Sequence, residues 1–347
     1  MQVQNKRFAY LLISLTVLLL LAVVSLYNGV YVFEKHSFSE IFTGLFSPDS
    51  TIDPAERFVL VDLRLPRIVM GILIGSALAV SGTCLQGMFR NALATPDLLG
   101  ITAGASLFAA ITIVLGKYIK PYIPEVMHYS LLSIMAFAGA LVTMVAVYRV
   151  STQNGRTNVV MMLLTGVAIT ALGFAVMGLL IYFSSEEELR DLTFWNLGSL
   201  SGASWQKNSI LAVIITVSYV LLLNKGKALN AMMLGEKDAQ HLGIPVETVK
   251  KQIVLLTALM VGTAVAFAGT ISFVGLIVPY ILRLLFKSDY NLILPLAAVW
   301  GSTLLLGADT ISRTIAPPGE IPIGVLTALM GAPIFIIILI RSRKQMV

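Results

Sequence analysis

Arg64 and Arg67, in Arg64-Leu65-Pro66-Arg67, stand directly before the uncharged run Ile68 to Phe89, and Arg313 follows another such run, Tyr290 to Ala308. A guanidinium at the mouth of an apolar helix can hold a carboxylate through two parallel hydrogen bonds, or can snorkel toward lipid headgroups. A second candidate is the stretch from Leu234 to Gly243, Leu-Gly-Glu-Lys-Asp-Ala-Gln-His-Leu-Gly. It predicts a short helix with Leu234, Ala239 and Leu242 available to one face, punctuated by Gly235 and closed by Gly243 as a left-handed stop. Such a helix can dock in a groove of a soluble partner, or serve as an ordinary solvated connection. The third is the polar turn from Gln86 to Asp97, holding Asn91 and Leu93, where Pro96 opens the next helix. It suits a constriction whose shape follows helix tilt, or simply a tight turn.

Equally informative is the chemistry that the chain lacks. No Gly-x-x-x-x-Gly-Lys-[Ser/Thr] loop occurs, and the lone Cys84 rules out an intrachain disulfide and a cysteine metal cluster. Charge at the centre of a bilayer costs about 2.5 to 3.5 kcal/mol, so intramembrane ionisable residues mark function by default. Here there are few, chiefly Asp97, Arg283 and Asp309. That scarcity counts against an ion-coupled secondary transporter, the alternative of another class. Energy is then expected from a separate nucleotide-hydrolysing polypeptide, and no catalytic residue, cofactor or metal site is expected in this one.

Positioning these residues is the work of apolar helices. Nine runs of 17 or more residues contain no Asp, Glu, Lys or Arg. Hydrophobic residues make up 57% of the chain and charged ones 12%, with a mean hydropathy of +0.88. A soluble domain carries roughly 25% charged residues, and about 20 apolar residues cross a bilayer. The run Gln252 to Leu282 would be about 46 Å long as one helix, so it is expected to break near Gly269 to Gly275, raising the count to ten. The expected spans are 8–28, 66–87, 94–115, 128–149, 158–183, 208–224, 250–268, 275–287, 291–311 and 322–340, in a single transmembrane domain over 1–347, with the loop 225–249 as the one substantial inner segment. The apolar run from Phe8 is too long for a signal peptide and reads as a retained first helix. Fifteen Lys and Arg fall on the side of the termini and nine opposite, which places both termini in the cytoplasm. Most acids, including Glu34, Glu40, Asp49, Asp53, Glu56, Asp62 and Glu186 to Glu188, lie outside. The net charge of +6 is thereby explained by topology, with no patch left for nucleic acid. Small residues such as Gly71, Gly75 and Gly82 predict close helix packing. Ala79 to Thr83 and Ala266 to Thr270 echo one another as an inverted repeat would.

Leu63 to Ala105, Leu234 to Ile244, Gly269 to Leu285 and Gly307 to Phe335 together carry a close resemblance to the FecCD family, the permease subunits of ATP-binding-cassette importers for iron-siderophore, haem and cobalamin. The resemblance implies an all-α membrane protein of the type II importer fold, multi-pass in the cytoplasmic (inner) membrane. It would pair with a second permease, itself or a paralogue, sit on a cytoplasmic ATPase dimer and receive cargo from an external binding protein. An iron(III)-siderophore complex is the first expectation for cargo, with haem or cobalamin as alternatives. By position, Arg64, Arg67 and Arg313 resemble the arginines that meet the binding protein. Gly235, Glu236, Ala239, Leu242 and Gly243 fall in the motif that couples to the ATPase, and Asn91 and Leu93 in the cytoplasmic gate. Glu320, Pro322 and Gly324 match the outer motif before the last span. The chain departs from the family where Tyr280 replaces a usual His, where Asp289-Tyr290-Asn291 replaces Asp-His-Arg and where Asn91-Ala92 replaces Asn-Pro.

Overall fold

The computed structural model describes residues 2–29, 31 and 53–343. Glu34, Glu40 and Asp49, assigned to the outer loop, and Lys344 lie outside the described residues. Among the described residues eight helices are long and apolar enough to cross a membrane, and two shorter apolar helices, Val274–Phe286 and Ile323–Ile337, fall where the two remaining spans are expected. In chain order we label α1 (Gln2–Tyr27), α2 (Pro54–Phe89), α3 (Ile101–Ile119), α4 (Leu131–Ser151), α5 (Val159–Tyr182), α6 (Glu186–Leu197) and α7 (Trp205–Leu223). The short α8 (Gly226–Leu234) and α9 (Glu236–His241) lead to α10 (Val246–Ala268), α11 (Val274–Phe286), α12 (Tyr290–Thr314) and α13 (Ile323–Arg343). A two-residue hairpin, Thr152–Gln153 with Arg156–Thr157, joins α4 to α5.

Packing is centred on α2 and α12, with α10 against both α2 and α4. The contact is close because side chains are missing at the crossings. A Cβ on Gly75 would sit 2.3 Å from the carbonyl oxygen of Gly301, and one on Gly82 only 1.8 Å from that of Gly275. Gly71, grouped with these in the sequence, meets the ends of the Leu200 and Leu306 side chains, at 3.4 and 3.9 Å. In a bilayer, where lipid tails are as apolar as leucine, this backbone approach supplies van der Waals contact that bulkier residues would deny.

Two boundaries differ in instructive ways. The break in the longest apolar run is present: α10 stops at Gly269, at φ 71, and α11 starts after Phe273, at φ 67. The local echo therefore ends differently in its two copies, since Gly82 lies inside a helix and Gly269 terminates one. The second span, expected from residue 66, begins instead at Pro54 and runs to Phe89. A π-helical stretch, Val59–Arg64, makes this continuity possible. Proline inside an α-helix collides with the carbonyl four residues before it, and a wide turn just ahead of Pro66 moves that carbonyl away.

Candidate functional site

At one end of the bundle the three arginines converge, but none projects freely. Arg64, Arg67 and Arg313 are 5%, 9% and 4% exposed. Arg67 lies one helical turn from Arg64 on α2, so both face α12 and the end of α1. Arg67 grips Asp309 of α12, with Nε 2.9 Å from Oδ1 and Nη2 2.8 Å from the same oxygen, while its Nη1 donates to Glu320 Oε1 at 2.8 Å. Arg313, one turn beyond Asp309, brings Nε within 3.2 Å of its Oδ2 as an ion pair and donates from Nη2 to Ser25 Oγ at 2.7 Å. Arg64 donates to the carbonyls of Leu26 and Tyr27, each at 2.7 Å, and to that of Tyr31. Those carbonyls close α1, whose last groups have no helical partner of their own. Gly29 lies over both guanidiniums: a Cβ there would be 2.8 Å from Arg64 Nη2 and 3.3 Å from Arg313 Nη1. A cavity of about 290 Å³ opens onto Arg64, Arg67, Arg313 and Glu320. A second, of about 340 Å³, shares Arg67 and Glu320 and reaches Ser199 and Pro322. Asp309 is fully buried, so the pairing with it is structural, whereas the Glu320 side chain is 31% exposed.

At the opposite end the short helix expected over Leu234 to Gly243 is α9, set off from α8 by Gly235, whose φ of 140 and ψ of 150 suit glycine. Gly243 is the left-handed stop, at φ 82. Leu234 and Leu242 are 68% and 63% exposed, but Ala239 is fully buried against its own chain and does not share their face. The shared face is thus corrected: packing on α10 turns Ala239 inward, as the contact between α9 and α10 requires. Glu236 also points inward, its Oε2 2.6 Å from Lys250 Nζ. Lys250, 1% exposed, spends its other two donors on Glu247 Oε1 at 3.1 Å and the Thr157 carbonyl at 3.0 Å, and Glu247 Oε2 accepts from Thr157 N at 2.8 Å. One ammonium thereby ties α9, α10 and the hairpin before α5. Sequence reasoning counted Lys250 only as part of the basic side; the spacing to Glu247 was visible, the approach of Glu236 was not.

The inner turn after α2 is made by Arg90 at φ 49 and by Asn91, whose Oδ1 accepts from Leu93 N at 2.9 Å. Asn91 is exposed and Leu93 half-buried. Arg283 of α11 braces this turn, donating to Gln86 Oε1 at 2.5 Å and to the Ala92 carbonyl at 3.5 Å. Nearby, Tyr290 is fully buried, takes Asn230 Oδ1 on its backbone N–H at 2.8 Å and lies flush with Gly87, where a Cβ would be 2.9 Å from its ring. Asp289 binds Arg7 of α1 at 2.5 Å and Asn230 of α8 at 3.1 Å. Partial burial pushes its carboxyl up, but hydrogen bonds from Asn230 and the Asn291 backbone, with the charge of Arg7, hold it below the usual carboxylate range. The start of α1, the α8–α9 segment and the turn after α2 therefore occupy one end, and the arginine cluster the other.

A model of the FecCD transport family matches residues 17–341. The chain belongs to this family. It is 38% identical over 297 residues to the hemin transport system permease HmuU of Yersinia pestis, covering 86% of this chain and 87% of that one. It is 41% identical over 343 residues to the vitamin B12 import system permease BtuC of Vibrio vulnificus, covering 98% and 96%. Among solved structures, an inward-facing conformation of a putative metal-chelate type ABC transporter superposes with a TM-score of 0.83 at 30% identity, over 96% of this chain and 99% of that one. The protein is thus the permease of an ATP-binding-cassette importer of the metal-chelate, haem and vitamin B12 type. It is a multi-pass, non-enzymatic subunit of the inner membrane that works with a separate ATPase and a substrate-binding protein.

Proposed function

We propose that the arginine cluster receives the external binding protein, that α8 and α9 engage the ATPase, and that ten spans with cytoplasmic termini tilt between them to move a bulky metal chelate inward. The observation that carries this reading is charge. Arg64, Arg67 and Arg313 line one cavity with the part-exposed Glu320, so a carboxylate entering it would meet three guanidiniums. At the other end, exposed Leu234 and Leu242 flank a helix tied rigidly to α10 and to the start of α5, an arrangement suited to passing a push from a soluble engine to the spans. Asn91 and Leu93 shape the inner turn that opens or closes as α2 and α11 shift, with Arg283 as its brace. Gly235 and Gly243 set the limits of the coupling helix, and Ala239 and Glu236 anchor it to the bundle. A second permease, a copy or a paralogue, completes the path above the ATPase dimer.

For cargo, the relatives named for hemin and vitamin B12 favour a tetrapyrrole over the iron(III)-siderophore expected from the motifs alone. The test is uptake by proteoliposomes holding the permease, its ATPase and its binding protein, offered haem, cyanocobalamin or a ferric siderophore. ATP-dependent uptake of a tetrapyrrole is expected; uptake of the siderophore alone would overturn the cargo assignment. For docking, Arg64→Gln, Arg67→Gln and Arg313→Gln combined should abolish stimulation of ATP hydrolysis by the binding protein in complexes that still assemble. Unchanged stimulation would overturn it. Neutral glutamine is the right replacement, because a glutamate at residue 67 would face the buried Asp309.

A further inference from the structure

Two carboxylates share Arg67, and they differ in the one property that decides exchange. Asp309 is fully buried on α12 and also paired with Arg313, so nothing from outside can replace it. Glu320 makes a single contact, at Nη1, from a side chain 31% exposed at the rim of both outer cavities. We propose that Glu320 is an internal stand-in for the carboxylate of the docking protein: docking exchanges one carboxylate for the other on Arg67 Nη1.

The inference rests on the docking reading and adds to it a competitor built into the chain. An exposed, single-point ion pair is weak, because water solvates both ends, whereas a carboxylate carried into the cavity by a large docked surface is held there by its other contacts. The exchange has a structural consequence. Glu320 lies three residues before α13, in a segment also fastened by uncharged bonds: Ile321 N to the Ser312 carbonyl at 3.2 Å, Ser312 Oγ to the Ile321 carbonyl at 2.5 Å, and Ile323 N to the Gly198 carbonyl at 3.2 Å. A Cβ on Gly324 would sit 2.4 Å from the Leu197 carbonyl oxygen, so the start of α13 is seated directly on the turn after α6. Releasing Glu320 removes the one charged tie, among the described residues, from α2 to the start of α13 while those bonds remain. Occupancy of the outer cavity is thereby felt at the head of the last span. The resting pair also keeps Arg67 Nη1 from standing uncompensated when no protein is docked.

A double-mutant cycle in the assembled importer, with the purified binding protein free of cargo as the probe, tests the exchange. Glu320→Gln removes the competing charge at nearly constant shape and should tighten binding about three- to tenfold. In the Arg67→Gln background the same change should alter affinity by less than about 1.5-fold, because the contested donor is gone. Glu320→Ala, at a part-exposed position outside any helix, serves as a second variant and should act in the same direction. Unchanged or weaker binding by both variants would overturn the exchange, and so would equal tightening in the two backgrounds, which would show a long-range charge effect only. If Arg67→Gln alone leaves affinity untouched, the docking reading itself fails. If Arg67→Gln weakens binding while the Glu320 variants do nothing, docking stands and the exchange falls.

Discussion

The two ends of the bundle both join distant chain segments through buried cations, yet one gathers three guanidiniums and the other is built on a single ammonium. Among the described residues the arginine end gathers three guanidiniums around Asp309 and Glu320, with Arg64 donating to the carbonyls that end α1. At the other end a single ammonium, Lys250, faces Glu236 and Glu247, and all three of its donors are used. Guanidiniums that line a cavity can meet an incoming carboxylate, whereas a saturated ammonium is a strut. On the proposed reading, the molecule is addressed at one end and transmits force at the other.

The largest expected effect comes from breaking the arginine end at its buried centre. Asp309→Asn removes the charge that holds Arg67 and Arg313, leaving two buried guanidiniums facing each other, and should cost about 3 to 5 kcal/mol, read as a large fall in apparent Tm in detergent. Next, Lys250→Met should cost about 1 to 2 kcal/mol, less than Asp309→Asn because the freed Glu236 and Glu247 are about one third exposed and regain water. Its distinctive mark is functional: ATPase still copurifies, but stimulation of ATP hydrolysis by the binding protein falls more than ATPase binding does. Equal falls would mean that Lys250 only stabilises. Leu234→Ser with Leu242→Ser should leave stability within about 0.5 kcal/mol, since both side chains are exposed, while copurification of the ATPase drops. Retained copurification would remove these leucines from the interface.

The smallest effect concerns the link from α1 to α8. Because the folded Asp289 carboxyl lies below the ordinary aspartate value of about 3.9, its contribution is complete above that pH and is lost as pH falls through the lowered value. Asp289→Asn should therefore lower apparent Tm slightly at pH 6, and the difference from the parent protein should vanish in strong acid. A difference that persists there would assign the effect to packing rather than charge.

Much of the architecture could be read along the chain because it is local. The length and placement of apolar runs, the break at Gly269 and the stop at Gly243 depend on nearby residues and on the bilayer's thickness. The site was legible as residue types in unusual places, not as partners. Arg67 meets Asp309 and Glu320 across separations of 242 and 253 residues, and Lys250 meets Glu236 across a glycine-limited turn. No periodicity encodes such meetings. Pro66 misled the boundary of α2, since a proline that commonly starts a helix here follows a π-turn within one.

By itself, then, the sequence determined that this is a membrane protein of many helices with no engine of its own, because hydrophobic length and motif are properties of short stretches. Tertiary structure alone decided that the arginines turn inward, that Ala239 is a buried anchor and that Lys250 is a junction. Each of these depends on which helices approach closely enough to exclude water, and that is set by glycine crossings between distant parts of the chain.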